Sequence, residues 1–186
     1  LQQDGSPENL AKAEQYFKIA LANEPQNMRI HANYGTYLFQ MQRYELAIQH
    51  LTQAANHLGY EQRAAAYENL GRVYLHLQQF SSAEQAFRQA LRIDAQASIA
   101  MFELAELLYL QQQFEAAQQW FERYVHSVGQ RALGARAYWL GGRLARSLGN
   151  VSQQQSYFQM LQQQFAHSAE YQHYVRLKNS ADVIWR

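Results

Sequence analysis

The sequence predicts an all-α solenoid of helix–turn–helix repeats with a C-terminal capping helix. Three observations carry that prediction. Glycine or alanine recurs at a near-constant interval, and aromatic and small residues follow it at fixed offsets. Only two prolines occur, Pro7 and Pro25, so the chain beyond Pro25 meets no helix breaker. Hydrophobic residues make up 48% of the 186 and charged residues only 17%, which supports a packed, ordered chain.

The repeat can be laid out position by position. Gly35, Gly71, Ala105 and Gly142 are 36, 34 and 37 residues apart, and Ala13, Ala47, Ala83 and Ala117 are 34, 36 and 34 apart. Four residues after each of those alanines stands Phe17, Leu51, Phe87 or Phe121. Three further on stands Ala20, Ala54, Ala90 or Tyr124, and an aromatic (Tyr44, Phe80, Phe114) precedes the last three alanines. Each unit is thus two antiparallel helices. The small residue on the first helix, Gly71 for example, lets the second come close, while Ala83 and Ala90 do the same from the other side. Phe87 is expected to fill the gap between units. No unit buries its apolar face alone, so units stack and stability is a nearest-neighbour sum. This is the signature of the tetratricopeptide repeat (TPR), and the fold class is an all-α TPR superhelix.

The register divides a single domain, 1–186, into five repeats. A partial repeat, about 1–27, holds only a second helix, roughly Asn9 to Asn23, its first helix missing. Repeats at 28–60, 61–97 and 98–134 follow, with a weaker one at 135–168 that carries Gln154 where alanine is expected, and a capping helix at about 169–180. Ser81-Ser82-Ala83-Glu84 reads as a capping box with Ser81 as N-cap. Asn150-Val151-Ser152 matches a glycosylation acceptor, but it falls where an inter-helix turn belongs, and the turn is the preferred reading.

Several functions are set aside. No cysteine occurs, which removes disulfides, thiolate metal sites and cysteine nucleophiles. No phosphate-binding glycine loop or His-Glu-x-x-His is present, and none of the seven histidines lies three or four residues from another, so neither metal nor cofactor is expected. Glu103 and Glu106 share a helix face but read as a polar groove wall, and no catalytic residue is assigned. No run of about 18 apolar residues spans a membrane, and no signal-peptide pattern opens the chain. Leu1 is not a natural start, so the sequence reads as a mature fragment. Residues 1–122 carry eight Lys/Arg against thirteen Asp/Glu, and residues 123–186 eight against two, which makes the second part basic. The basic stretch 123–146 gives nucleic acid a foothold, but no basic stripe runs along the groove as phosphate tracking requires, so no nucleic-acid partner is expected.

The first helix of each unit lines the concave side of a TPR stack, and a protein partner is expected there. The candidates are Asn33, Thr36, Asn69 and Arg72, then Phe102, Glu106 and Tyr109, then Trp139, Arg143 and Arg146. Asn33 and Asn69 are 36 apart at equivalent positions. A groove-facing amide can pair with both polar groups of an extended peptide, although bonding to a neighbouring helix is an equal alternative. Phe102, Tyr109 and Trp139 beside Arg143 and Arg146 form either an apolar floor with a basic rim, suited to hot-spot binding, or part of the inter-repeat core.

Several stretches resemble a known family. These are His31-Ala32-Asn33-Tyr34-Gly35 with Tyr44 and Ala54, Tyr67-Glu68-Asn69-Leu70-Gly71, Phe102-Glu103-Leu104-Ala105, and Trp139-Leu140-Gly141 followed by Arg143-Leu144-Ala145-Arg146-Ser147-Leu148-Gly149. Together they are similar to the TPR lipoproteins of type IV pilus biogenesis, the PilF/PilW pilotin family, from about Leu10 to Tyr171. The resemblance implies a scaffold on the periplasmic face of the outer membrane that helps the type IV pilus secretin subunit reach that membrane and multimerise. It also implies an N-terminal lipid anchor on a cysteine that this chain lacks. The alternative is another TPR adaptor, co-chaperone or outer-membrane assembly factor.

Overall fold

In the computed structural model, the structure describes residues 7–179 and Trp185, with side chains from residue 12 onward. Residues 1–6 of the expected partial repeat, and residue 180 at the end of the expected capping helix, lie outside the described residues. The described residues form ten α-helices and a 3-10 turn at Gln130–Ala132. Two compact units result, Leu1–Ala97 and Ser98–Arg186. In the first, α1 (Pro7–Asn23) packs on α2 (Met28–Gln40), α2 pairs with α3 (Tyr44–Asn56), and α4 (Arg63–His76) pairs with α5 (Phe80–Ile93). In the second, α6 (Ser98–Leu110) pairs with α7 (Phe114–Val128), and α8 (Ala135–Ser147) pairs with α9 (Val151–Phe165). The short α10 (Ala169–Leu177) rests on α8 and α9.

Three of the four helix pairs are set by one close approach at a glycine, and the α6–α7 pair carries Ala105 at that position. A Cβ built on Gly35 would lie 2.7 Å from Leu51 Cγ, and one on Gly71 would lie 2.5 Å from Phe87 Cε1. On Gly142 it would meet the Phe158 ring closer still. The partner is the residue sixteen positions on in every case. Ala47, Ala54, Ala83, Ala90 and Ala117 are fully buried, as close packing requires. Phe87 packs directly against Gly71. The register of α5 aims it at α4, inside its own pair.

The turns between paired helices share one geometry. Gln42, Gln78 and Gln112 have φ of 59°, 58° and 63°, and Gly149 takes the same place in the next pair with φ 72°. The following amide then reaches back to a carbonyl five residues earlier: Arg43 to Leu38 at 2.8 Å, Gln79 to Tyr74 at 2.8 Å, Gln113 to Leu108 at 2.9 Å and Asn150 to Ala145 at 2.8 Å. This is the Schellman arrangement, which caps the first helix of each pair. It also overturns the capping box at Ser81. The turn closes so tightly that α5 begins at Phe80, with Gln79 at the cap making no side-chain bond, and Ser81 already lies in the first helical turn. Side-chain caps occur elsewhere. Asn27 accepts from the Arg29 and Ile30 amides, Asn150 from Gln153, and Ser168 from Tyr171. Asn150 thus occupies the turn that the sequence assigns to it.

One contact in the first unit joins residues that helical spacing does not connect. His31 Nδ1 and His50 Nδ1 are 2.9 Å apart, and His31 Nε2 is 3.0 Å from the Pro25 carbonyl oxygen. A carbonyl only accepts, so in the neutral pair His31 donates through Nε2 and accepts at Nδ1, and His50 Nδ1 is the donor. Burial, and then the nearby His31, push the His50 imidazole below its ordinary value.

Gly71→Ala adds helix propensity, yet its methyl would strike three atoms of a rigid, fully buried ring. It should cost about 1–3 kcal/mol of stability in urea unfolding, with Phe87→Leu restoring part of the loss when the two are combined. An unshifted curve would mean that the close approach does not set the pair. Conversely, Gln112→Gly should raise stability by about 0.5–1 kcal/mol, because relief of a left-handed side chain exceeds the added freedom of the unfolded chain. Gln111→Gly in the same assay has nothing to relieve and should lower it.

Candidate functional site

In the first unit, the candidates fall on α2 and α4. Thr36 Oγ1 donates to the Ala32 carbonyl at 2.9 Å and accepts from Asn69 Nδ2 at 3.2 Å, so Asn69 bonds a neighbouring helix. Asn33 is exposed and helps line an open pocket of about 350 Å³ with Ala13, Tyr16, Phe17, Ala20 and Ile30. Arg72 is exposed one turn from Asn69. The pocket wall on α1 is tied down by Glu14, which meets Lys18 at 2.8 Å and Arg43 at 2.7 Å. Those two hydrogen-bonded cations, Lys18 foremost, hold its carboxyl at about 2.

In the second unit, the candidates converge. Phe102, Glu106 and Tyr109 on α6 face Trp139, Arg143 and Arg146 on α8, a face defined by i, i+4 and i+7 spacing. Phe102, Tyr109, Trp139 and Arg143 are all buried. Arg143 Nη2 donates to Glu106 Oε1 at 2.8 Å, and its guanidinium lies 4.7 Å from the Tyr109 ring centroid and 5.0 Å from that of Trp139. Beside it, Arg136 forks onto both Glu103 oxygens at 3.1 Å and reaches Glu106 Oε2 at 2.6 Å. Its guanidinium sits 4.9 Å over Phe102. Burial opposes its charge, but the two carboxylates outweigh that and hold it above the ordinary arginine value. Of the two arginines of the expected basic rim, Arg143 is therefore neutralised by Glu106. Arg143 is buried rather than on a rim, because it must pair with Glu106, and Glu103 and Glu106 are the anchors of two arginines.

The sequence reading did not place Trp185 in this cluster. Its ring stacks on Trp139 at 6.0 Å and 17°, and the Arg146 guanidinium lies 4.3 Å over it. Phe158 at 5.8 Å and Tyr174 at 6.3 Å form the remaining walls. Arg143 Nη1 donates to its carbonyl oxygen at 3.1 Å, and its amide donates to the Tyr109 hydroxyl at 3.2 Å. Only 2% of Trp185 is exposed. The apolar run Val183-Ile184-Trp185 after the last helical register was the one sequence signal for it.

Tetratricopeptide repeat models match residues 26–96 and 68–132. The type IV pilus assembly protein PilF of Pseudomonas aeruginosa is 32% identical over 162 residues, 87% of this chain. The chain spans 63% of that relative's length. The solved structure of Pseudomonas aeruginosa PilF superposes with a TM-score of 0.82 at 32% identity, covering 88% of this chain and 72% of that one. PilW, a widely conserved type IV pilus biogenesis factor, superposes at 0.75 with 29% identity, covering 89% of this chain and 74% of its own.

Removing Glu106 separates the roles of the two arginines. Glu106→Ala leaves Arg143 buried without its carboxylate and should cost about 3 kcal/mol in chemical unfolding. Arg136→Ala removes a half-exposed cation but leaves the buried Glu103 without it, and should cost less, about 1–2 kcal/mol. Equal losses would mean that Arg143 does not depend on this ion pair.

Proposed function

The chain belongs to the tetratricopeptide-repeat proteins of type IV pilus biogenesis, the family of PilF and PilW, and we propose from this that it is a pilotin-like scaffold for the pilus secretin. The observation that carries the reading is the likeness to PilF across 87% of the chain, on a fold whose family serves as protein-interaction scaffolds. The geometry fits a binding role. Paired first helices gather amide and hydroxyl groups in one unit, and aromatic rings with arginines in the other. Such groups recognise main chain and aromatic side chains without transforming them.

In this proposal the protein is non-enzymatic and acts on the periplasmic face of the outer membrane, where an N-terminal lipid anchor on the full-length protein holds it. It binds the secretin subunit and promotes its delivery and multimerisation. No helix among the described residues is long and apolar enough to cross a membrane. Asn33, Thr36, Asn69 and Arg72 are the proposed contacts in the first unit, and the α6–α8 face supplies those in the second.

The test is genetic and biochemical. In a type IV piliated cell lacking this protein, the secretin should remain monomeric and leave the outer-membrane fraction, and the full-length gene should restore both. The purified chain should also bind the purified secretin subunit directly. Secretin multimers that form normally in the deletion strain would overturn the pilotin reading. Binding of another envelope protein in its place would move the function to a different TPR adaptor.

A further inference from the structure

We propose that the pocket around Trp139 is a recognition site for a tryptophan residue within an extended partner segment, and that Trp185 is the chain's own exchangeable occupant. This rests on reading the second unit as a partner-binding face, but not on the partner's being the secretin.

Trp185 is held in the manner of a ligand. It belongs to no helix, and it is gripped by side chains from four of them, α6, α8, α9 and α10. Its amide and carbonyl are both read by side chains, Tyr109 Oη for the former and Arg143 Nη1 for the latter. Those two groups are common to every residue of any chain, so they recognise main chain and not sequence. Selectivity comes from the cage. Trp139 stacks below the indole, the Arg146 guanidinium covers it, and Phe158 closes the side. Such a slot favours a flat, electron-rich ring over an aliphatic side chain.

The fit is incomplete. Trp185 Nε1, Arg143 Nε and Ser147 Oγ are buried and have no hydrogen-bond partner among the described residues. Arg143 is itself almost fully buried, at 2% exposure, and keeps an unused donor beside the occupant's backbone. Buried polar groups without partners are costly, so the self-ligand binds below the site's capacity. A partner segment that presents the same ring and supplies acceptors to the free donors has the advantage in exchange. The occupied pocket then acts as a threshold, because a partner must displace Trp185 before it binds.

The probe is N-acetyl-L-tryptophanamide, which carries the indole, amide and carbonyl of an internal tryptophan and little else. It is titrated into the full chain and followed by amide NMR shifts. The Trp185→Ala chain should bind it at least tenfold more tightly than the unsubstituted chain, with shifts confined to the helices around Trp139. N-acetyl-L-leucinamide should not bind. Equal affinity of the two chains for the tryptophan probe, or equal affinity of the Trp185→Ala chain for both probes, would overturn the proposal. If alanine at this position unfolds the second unit, Trp185→Phe puts the same question with a smaller ring. The probe should then bind at least threefold more tightly than to the unsubstituted chain, and unchanged affinity would again overturn it. None of these readouts depends on the secretin, so a failed pilotin test leaves them standing.

Discussion

The arrangement of this chain depends on one steric constraint, the smallness of the residue where the first helix of a pair meets the second, which is glycine in three pairs and Ala105 in the fourth. At Gly35, Gly71 and Gly142 there is no room for a methyl group, and the residue sixteen positions later occupies that space. The consequence reaches the site. Because Gly142 yields to Phe158, that ring comes to lie 5.9 Å from Trp139 and 5.8 Å from Trp185, where it becomes a wall of the pocket. Gly141 does a second job one residue earlier, admitting Tyr157 and Phe121 together, so that α8 touches both α9 and α7 along its small-residue edge. Rotating α8 to any other register would bury a bulky side chain at these contacts and carry Trp139 and Arg143 off the shared face.

Charge is handled in a way that bulk composition conceals. The stretch from Arg123 to Ala169 has no acidic residue, which suggests a basic surface. Two of its five arginines are instead supplied with carboxylates from the preceding repeat. Glu103 and Glu106 bind Arg136 and Arg143, and Arg123 lies over Trp120 at 4.2 Å. A cation buried next to two aromatic faces would be costly alone, and Glu106 makes it tolerable. The carboxylates that sequence logic weighed as a catalytic pair and set aside thus have a structural role, placing an arginine so that it can read a backbone carbonyl.

The repeat was legible because it is a packing rule written in residue size. Small residues recur at the Gly71, Ala83 and Ala90 positions in most of the repeats, with Tyr124 and Gln154 as departures, and that period survives without any alignment. The turns were half legible. Gly149 marks the left-handed position openly, but Gln42, Gln78 and Gln112 occupy it in the other pairs, and glutamine carries no conformational signal. That same turn is why the Ser81 box misled. The pattern was present, but tertiary closure started the helix two residues early. His31 and His50 escaped notice because their contact spans two helices, where spacing rules tuned to one helix do not apply. Trp185 escaped for a related reason. It lies outside the repeat register, so no period pointed to it, although Tyr109, Trp139, Arg143 and Arg146, four of the six residues that hold it, were candidates.

The two units solve the same design problem with different chemistry. In the first, Thr36 and Asn69 are locked by directional hydrogen bonds whose geometry tolerates little change, and Asn33 and Arg72 are left exposed. In the second, recognition is assembled from ring faces and guanidinium planes, which permit sliding and exchange, with three hydrogen bonds from Tyr109 and Arg143 to the Trp185 main chain. A surface of the first kind discriminates by donor and acceptor pattern, whereas one of the second kind discriminates by shape and polarizability. The occupied pocket is of the second kind, and that explains how a single tryptophan fills it well enough to be buried while three polar atoms around it remain without partners among the described residues. Aromatic stacking supplies the hold, and the hydrogen-bond pattern is left open for an occupant that matches it more fully.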